Sequence, residues 1–115
     1  MDSKQTVTKW FKCWEEGNFL DLPISENFIH TSPYGTTKGK ETYLRLVAAN
    51  KDKFLGHRFE IHDLLFDQDR ACIRYTATQE GFSLEVSEWH FVSDGIIEKI
   101  VAYYNIEEER IEIEE

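Results

Sequence analysis

The chain has 115 residues, of which 41% are hydrophobic and 14% aromatic, and its formal net charge is −9. That length fits one domain, and that apolar content supports a core and excludes a disordered chain. No basic stripe is present to meet nucleic-acid backbones or anionic membranes, and no apolar run approaches the roughly 20 residues of a membrane span.

The opening Met1-Asp2-Ser3-Lys4-Gln5 lacks the apolar stretch of a secretory signal. Cys13 and Cys72 are too few for a disulfide framework. Both sit in regular segments and read as small buried hydrophobes in a reduced, cytoplasmic setting.

In chain order, Val7, Trp10, Phe11 and Trp14 follow the spacing of one helical face. Ser3 is the candidate cap, and Gly17-Asn18 the stop. Phe19 to Ile24 reads as one helical turn broken by Pro23, and Asn27 to Thr31 as a strand. Ser32-Pro33-Tyr34-Gly35 reads as a turn. A second helix is predicted over 39–53, with Tyr43, Leu44, Val47 and Ala48 on one face and Glu41 near its positive end. Four strands follow: 58–66, 71–78, one beginning at Phe82, and 96–106. Their turns are Asp67-Gln68-Asp69, Gln79-Glu80-Gly81 and Ser93-Asp94-Gly95. Helices first and a meander afterwards indicate an α+β fold with helices on one sheet face.

The negative charge is uneven. Residues 107–115 (EEERIEIEE) carry −5, leaving −4 for the body. The chain therefore divides into a domain over 1–106 and an acidic tail. In the tail, Ile111 and Ile113 alternate with Arg110, Glu112 and Glu114. The tail reads as a solvated extension, part of which can add to an edge strand or a partner chain.

Three stretches carry a family likeness. They are the first helix ending Trp14-Glu15-Glu16-Gly17-Asn18, the run Phe28-Ile29-His30-Thr31-Ser32-Pro33-Tyr34-Gly35 followed by Gly39-Lys40-Glu41, and Ser93-Asp94-Gly95-Ile96-Ile97 with Ala102-Tyr103-Tyr104. Together they resemble SnoaL-like members of the nuclear transport factor 2-like superfamily, which includes the ketosteroid isomerases. The resemblance implies a cone: a strongly curved, mainly antiparallel sheet wrapped around the N-terminal helices, enclosing an apolar pocket. It also implies a homodimer formed through the outer sheet face.

Alternation assigns the faces. His30 and Ser32 share one face of the first strand, with Phe28 behind them. Ile73 and Tyr75 point inward, as do Phe82, Leu84, Val86, Glu88, His90 and Val92, and finally Ile100, Ala102 and Tyr104. Trp89 and Phe91 then face outward. A bulge after Ser87 would exchange the two sets, but the absence of Pro and Gly there favours the unbulged register. Trp10 and Trp14 close the wall.

The ketosteroid isomerase resemblance implies a carboxylate base before the turn and two acidic donors. Here the base position is Ser32, the helix donor position is Trp10, and the second donor position is Glu88 or, bulged, Trp89. A neutral hydroxyl cannot shuttle a proton without its own base, so that mechanism is not expected. SnoaL-type cyclases imply an acid on a late strand, and only Glu88 is available.

His30 is the first candidate base, able to pair with Glu88 or His90 across the pocket. Its alternative is a structural histidine bonded to backbone or Ser32. Glu88 is either a buried acid or a rim carboxylate paired with Arg74 or Lys99, and the cost of an unpaired buried carboxylate favours the rim. Tyr34, Tyr75 and Tyr104 are ligand donors or core rings.

The four histidines show no metal-ligand spacing. There is no phosphate loop and no nucleophile elbow, so neither metal nor organic cofactor is expected. Three functions compete. One is a small-molecule enzyme for proton transfer, hydration or cyclisation of an apolar ligand, with His30 as base and Glu88 or His90 assisting. The second is a non-catalytic binding or homodimeric module, and the third a protein adaptor.

Overall fold

A computed structural model of the chain describes residues 2–54 and 56–105. Helix α1 spans Ser3–Glu16. Its cap is Asp2, not the expected Ser3: the Asp2 carboxylate accepts the Gln5 N–H while the Gln5 side chain accepts the Asp2 N–H. This is a capping box, and it leaves the buried Ser3 hydroxyl free to donate to the Asp67 carbonyl. Gly17 ends the helix as expected, with φ 74°, a conformation that favours glycine. A short 3-10 turn follows at Phe19–Asp21.

Strand β1 (Ile24–Ser32) begins three residues earlier than the sequence pattern indicates. The turn at 32–35 leads into a short strand, β2 (Gly35–Lys38), which the sequence reading did not anticipate. Its residues lack the β-branched apolar alternation of a half-buried strand because it lies at the sheet edge. The expected second helix is divided into α2 (Lys40–Ala49) and α3 (Lys51–Phe54) around Asn50, with Gly39 as the α2 cap. Strands β3 (Arg58–Phe66), β4 (Arg70–Gln79), β5 (Phe82–Ser93) and β6 (Ile96–Tyr104) complete the sheet. The reading of the acidic tail lies outside the described residues.

The six strands form one open sheet in the order β2-β1-β6-β5-β4-β3. All neighbours are antiparallel except β1 and β6, which run parallel. β1 is thereby brought beside the last strand, and the two ends of the fold share one surface. The β4–β5 register runs without a shift from Arg70↔Phe91 to Gln79↔Phe82. No bulge follows Ser87, so Val86, Glu88, His90 and Val92 all face the helices and are buried.

Helix α1 lays Val7, Trp10 and Phe11 on this inner face, and α2 adds Tyr43 and Val47. Phe28, Ile73, Ile97 and Ile100 are fully buried between the layers. Burying one such side chain contributes roughly 1.5–3 kcal/mol. Phe82 is a correction to the inward set: it is half exposed, at the strand end beyond the helix, against His57. Cys72 is also corrected, since it lies half-buried on the outer face beside Trp89 rather than in the core. No described helix is long and apolar enough to cross a membrane.

Candidate functional site

The inner face of β4 and β5 holds a chain of three polar side chains. Tyr75 lies opposite Val86, so Glu88 is its diagonal neighbour, and a phenol is long enough to span that step. The Tyr75 hydroxyl donates to Glu88 Oε2 at 2.7 Å. His90 follows Glu88 by two residues on the same face, and its Nε2 lies 2.7 Å from Glu88 Oε1. Both carboxylate oxygens are therefore occupied. Small residues make room: Ala102 lies opposite Glu88 on β6, and Ala71 opposite His90 on β4.

Glu88 is 4% exposed and His90 0%. This corrects the rim reading of Glu88: Arg74 pairs instead with Asp63 on the outer face. The burial cost that favoured the rim is offset here by two hydrogen bonds and a histidine. His90 stands edge-on to Trp10, with centroids 5.7 Å apart, and beside Phe11 at 6.1 Å. Its Nδ1 is buried and has no hydrogen-bond partner among the described residues.

His30 lies one strand further across. It and His90 are both paired with Ile100, so two strand spacings separate them, about 10 Å of backbone. Neither Glu88 nor His90 hydrogen-bonds His30 among the described residues. The expected dyad is replaced by the pair Glu88–His90. His30 is half-buried, with its ring 5.1 Å from Tyr43 and 6.3 Å from Phe28. Beyond it, the Ser32 hydroxyl accepts the Tyr34 N–H at 3.2 Å. Tyr34 is 79% exposed on the turn and meets Tyr104 ring to ring.

Burial pushes the Glu88 carboxyl upward, but the hydrogen bond from His90 and its attraction in the charged form outweigh it, followed by the hydrogen bond from Tyr75 and the attraction of His30 in its charged form. The group stays below its ordinary range. Burial lowers His30; the Glu88 charge opposes that and His90 adds to it. Burial and then the Glu88 charge hold Tyr43 and Tyr75 well above 10. At neutral pH, Glu88 is thus a carboxylate, the phenols are donors and His30 is uncharged. A carboxylate only accepts, so Nε2 of His90 carries the proton of their bond, and Nδ1 is the atom available for proton transfer. The arrangement matches the general pattern of an acid that orients an imidazole for acid–base work.

Of the other sequence candidates, Ile73 and Ile100 are core floor, and Trp10 and Trp14 pack edge to face at 5.7 Å. Rings of Trp10, Phe11, Phe28, Tyr43 and Tyr75 take up the inner space where an open pocket was expected. A groove of about 520 Å³ lies elsewhere, on the α1 surface around Lys9, Lys12 and Glu16. The sequence reading treated Phe11 and Tyr43 as core residues only, although they touch the two histidines. The antiparallel register around Gly81 was the signal that could have joined Tyr75 to Glu88.

An open six-stranded sheet with helices on one face and a parallel β1–β6 pair defines an α+β protein of the nuclear transport factor 2-like class. The SnoaL-like domain family matches residues 7–103, and the chain belongs to that family. A nuclear transport factor 2-like protein of unknown function from Cytophaga hutchinsonii superposes with a TM-score of 0.76 at 19% identity, over 89% of this chain and 88% of that one. A candidate ketosteroid isomerase from Kribbella flavida gives 0.75 at 17%, over 94% and 81%. A candidate polyketide cyclase from Silicibacter gives 0.72 at 22%, over 90% and 88%. No curated protein matches the chain.

Proposed function

We propose that this protein is a small-molecule acid–base catalyst of the isomerase or cyclase kind, acting on an apolar, enolisable carbonyl compound. His90 takes up the proton at Nδ1, Glu88 orients the imidazole and balances the charge that then forms, and Tyr75 holds Glu88 in place. His30 supplies the second proton-transfer group, at the more open margin beside Ser32, Tyr34 and Tyr104. The single observation carrying this reading is the occupied carboxylate beside an unpartnered Nδ1. A purely structural ion pair gains nothing from a buried nitrogen without a partner, which costs about 1–3 kcal/mol. Access to His90 in this reading requires displacement of the rings packed on it, Trp10 and Phe11. The names of the isomerase and cyclase neighbours agree with this kind of chemistry.

The test is deuterium uptake from D2O into a panel of apolar enolisable ketones. His90→Gln should slow exchange by about 100-fold or more, the usual range for losing a general base, while the urea midpoint confirms a folded variant. Undiminished exchange in folded His90→Gln would overturn the assignment.

A second reading, a non-catalytic module, draws on the ring-filled inner space. In either case we propose that two copies associate through the outer sheet face. There Leu65, Cys72, Trp89 and Val101 form one cross-strand apolar row, and Leu65 is 70% exposed.

A further inference from the structure

The two inner phenols differ in what their hydroxyls do. Tyr75 donates to Glu88 at 2.7 Å. Tyr43, on α2 and only 5% exposed, makes no side-chain hydrogen bond among the described residues. Phenylalanine would fill the same space without an unused polar group. The Tyr43 ring lies 5.1 Å from that of His30 and 5.0 Å from that of Phe28, and it stacks on Trp10 at 6.3 Å. Trp10 in turn stands edge-on to His90 at 5.7 Å. Tyr43 thus links the half-buried imidazole at the margin to the ring that covers the buried one. The charges that act on its hydroxyl are those of Glu88 and then Tyr104, which puts it on the polar side of the core. Burial keeps its proton in place at neutral pH, so the group is a donor.

Removing a proton beside a carbonyl sends the bonding pair into a new C=C bond and the carbonyl π pair onto oxygen. A fixed donor at that oxygen lowers the barrier. With the carbon-bound proton taken up at His90 Nδ1, the oxygen still needs a donor. We propose that Tyr43 is a further catalytic residue, whose hydroxyl donates a hydrogen bond to the substrate's carbonyl oxygen as it becomes an enolate. This inference rests on the acid–base reading of His90 and Glu88. The phenol keeps its proton throughout, and no oxidant or reductant is consumed. The oxygen end of the substrate then lies beside His30, with its apolar remainder along Phe28 and Trp10.

The test is Tyr43→Phe, which keeps the ring and its contacts and removes one oxygen. In the deuterium-exchange assay kcat should fall about 100-fold, the usual loss for one such donor. KM should stay within about threefold, because the bond tightens only as charge develops. The urea midpoint should not fall. A second measurement uses 4-nitrophenolate, a stable anion with its charge on an oxygen attached to an apolar ring. Tyr43→Phe should bind it about tenfold more weakly than the wild type, the usual weight of a hydrogen bond to a charged group. Unchanged exchange in folded Tyr43→Phe, with His90→Gln inactive, would overturn the Tyr43 assignment and leave the acid–base reading standing. Equal 4-nitrophenolate affinity in wild type and Tyr43→Phe would also overturn it. Absence of exchange in the wild type would overturn both.

Discussion

Glu88 and Trp89 are neighbours in the chain with opposite environments. The carboxylate is sealed between sheet and helix, and the indole is 43% exposed on the other side. At this one level of β4 and β5 a carboxylate lies inside and an indole outside, against the usual ranking. Inside, Tyr75, Glu88 and His90 satisfy each other in sequence. Outside, Leu65, Cys72, Trp89 and Val101 form a row with nothing above it among the described residues. The contrast separates what holds the fold together from what is available to bind, and each face responds differently to substitution.

The largest effect is expected from His90→Ala. It leaves the Glu88 carboxylate buried without its strongest partner, and breaking a buried pair costs about 3–5 kcal/mol. Chemical denaturation measures this. Replacing both members, with Glu88→Met and His90→Phe together, should recover most of that loss, since an apolar pair of similar volume needs no compensation. If the double variant were instead as unstable as His90→Ala, the pair would be a net source of stability.

Tyr75→Phe comes next. It removes one donor from Glu88 and should cost about 1–3 kcal/mol. It should also raise the Glu88 pKa, readable by carboxyl NMR titration, because the hydrogen bond from Tyr75 helps hold that group down.

Acidification sharpens the comparison further. His30 in the folded chain lies below its ordinary 6.5, and Glu88 below its ordinary 4.5. In each window between folded and ordinary values, the unfolded chain binds the extra proton, so stability falls as pH falls. The decline should begin near pH 6.5 from His30 and continue below 4.5 from Glu88. His30→Gln should abolish the first step and leave the second. Thermal melts across pH 4–7.5 measure both.

The smallest effect on folding is expected from Trp89→Ser, within about 0.5 kcal/mol for an outer-face change. It should nevertheless weaken any self-association seen by sedimentation. A large loss of monomer stability would show that the outer row belongs to the core.

Much of the fold is readable from residue pattern alone. The α1 face, the Gly17 stop, the four C-terminal strands and the unbulged register of β5 all follow from local periodicity and turn chemistry, which act over a few residues. Glycine and proline mark where the chain turns, and period-two alternation places Glu88 and His90 on one face. The edge strand β2 was not readable, because an exposed edge imposes little apolar pattern. The break at Asn50 was not readable either, since the sequence there still favours helix.

The sequence by itself determined the fold class, the family likeness and the set of residues that carry chemistry, because each of these rests on spacing along the chain. Only the tertiary structure decided how those residues are partnered. It joined Tyr75, Glu88 and His90, set His30 two strand spacings from His90, and filled the inner space with rings from α1, α2, β1 and β4. Those outcomes depend on which strands become neighbours, above all the parallel β1–β6 pairing. A carboxylate that reads as a rim residue in isolation becomes a buried one when two donors from the same sheet reach it. Desolvation cost is set by the partners a group finds, and those partners lie far apart in sequence.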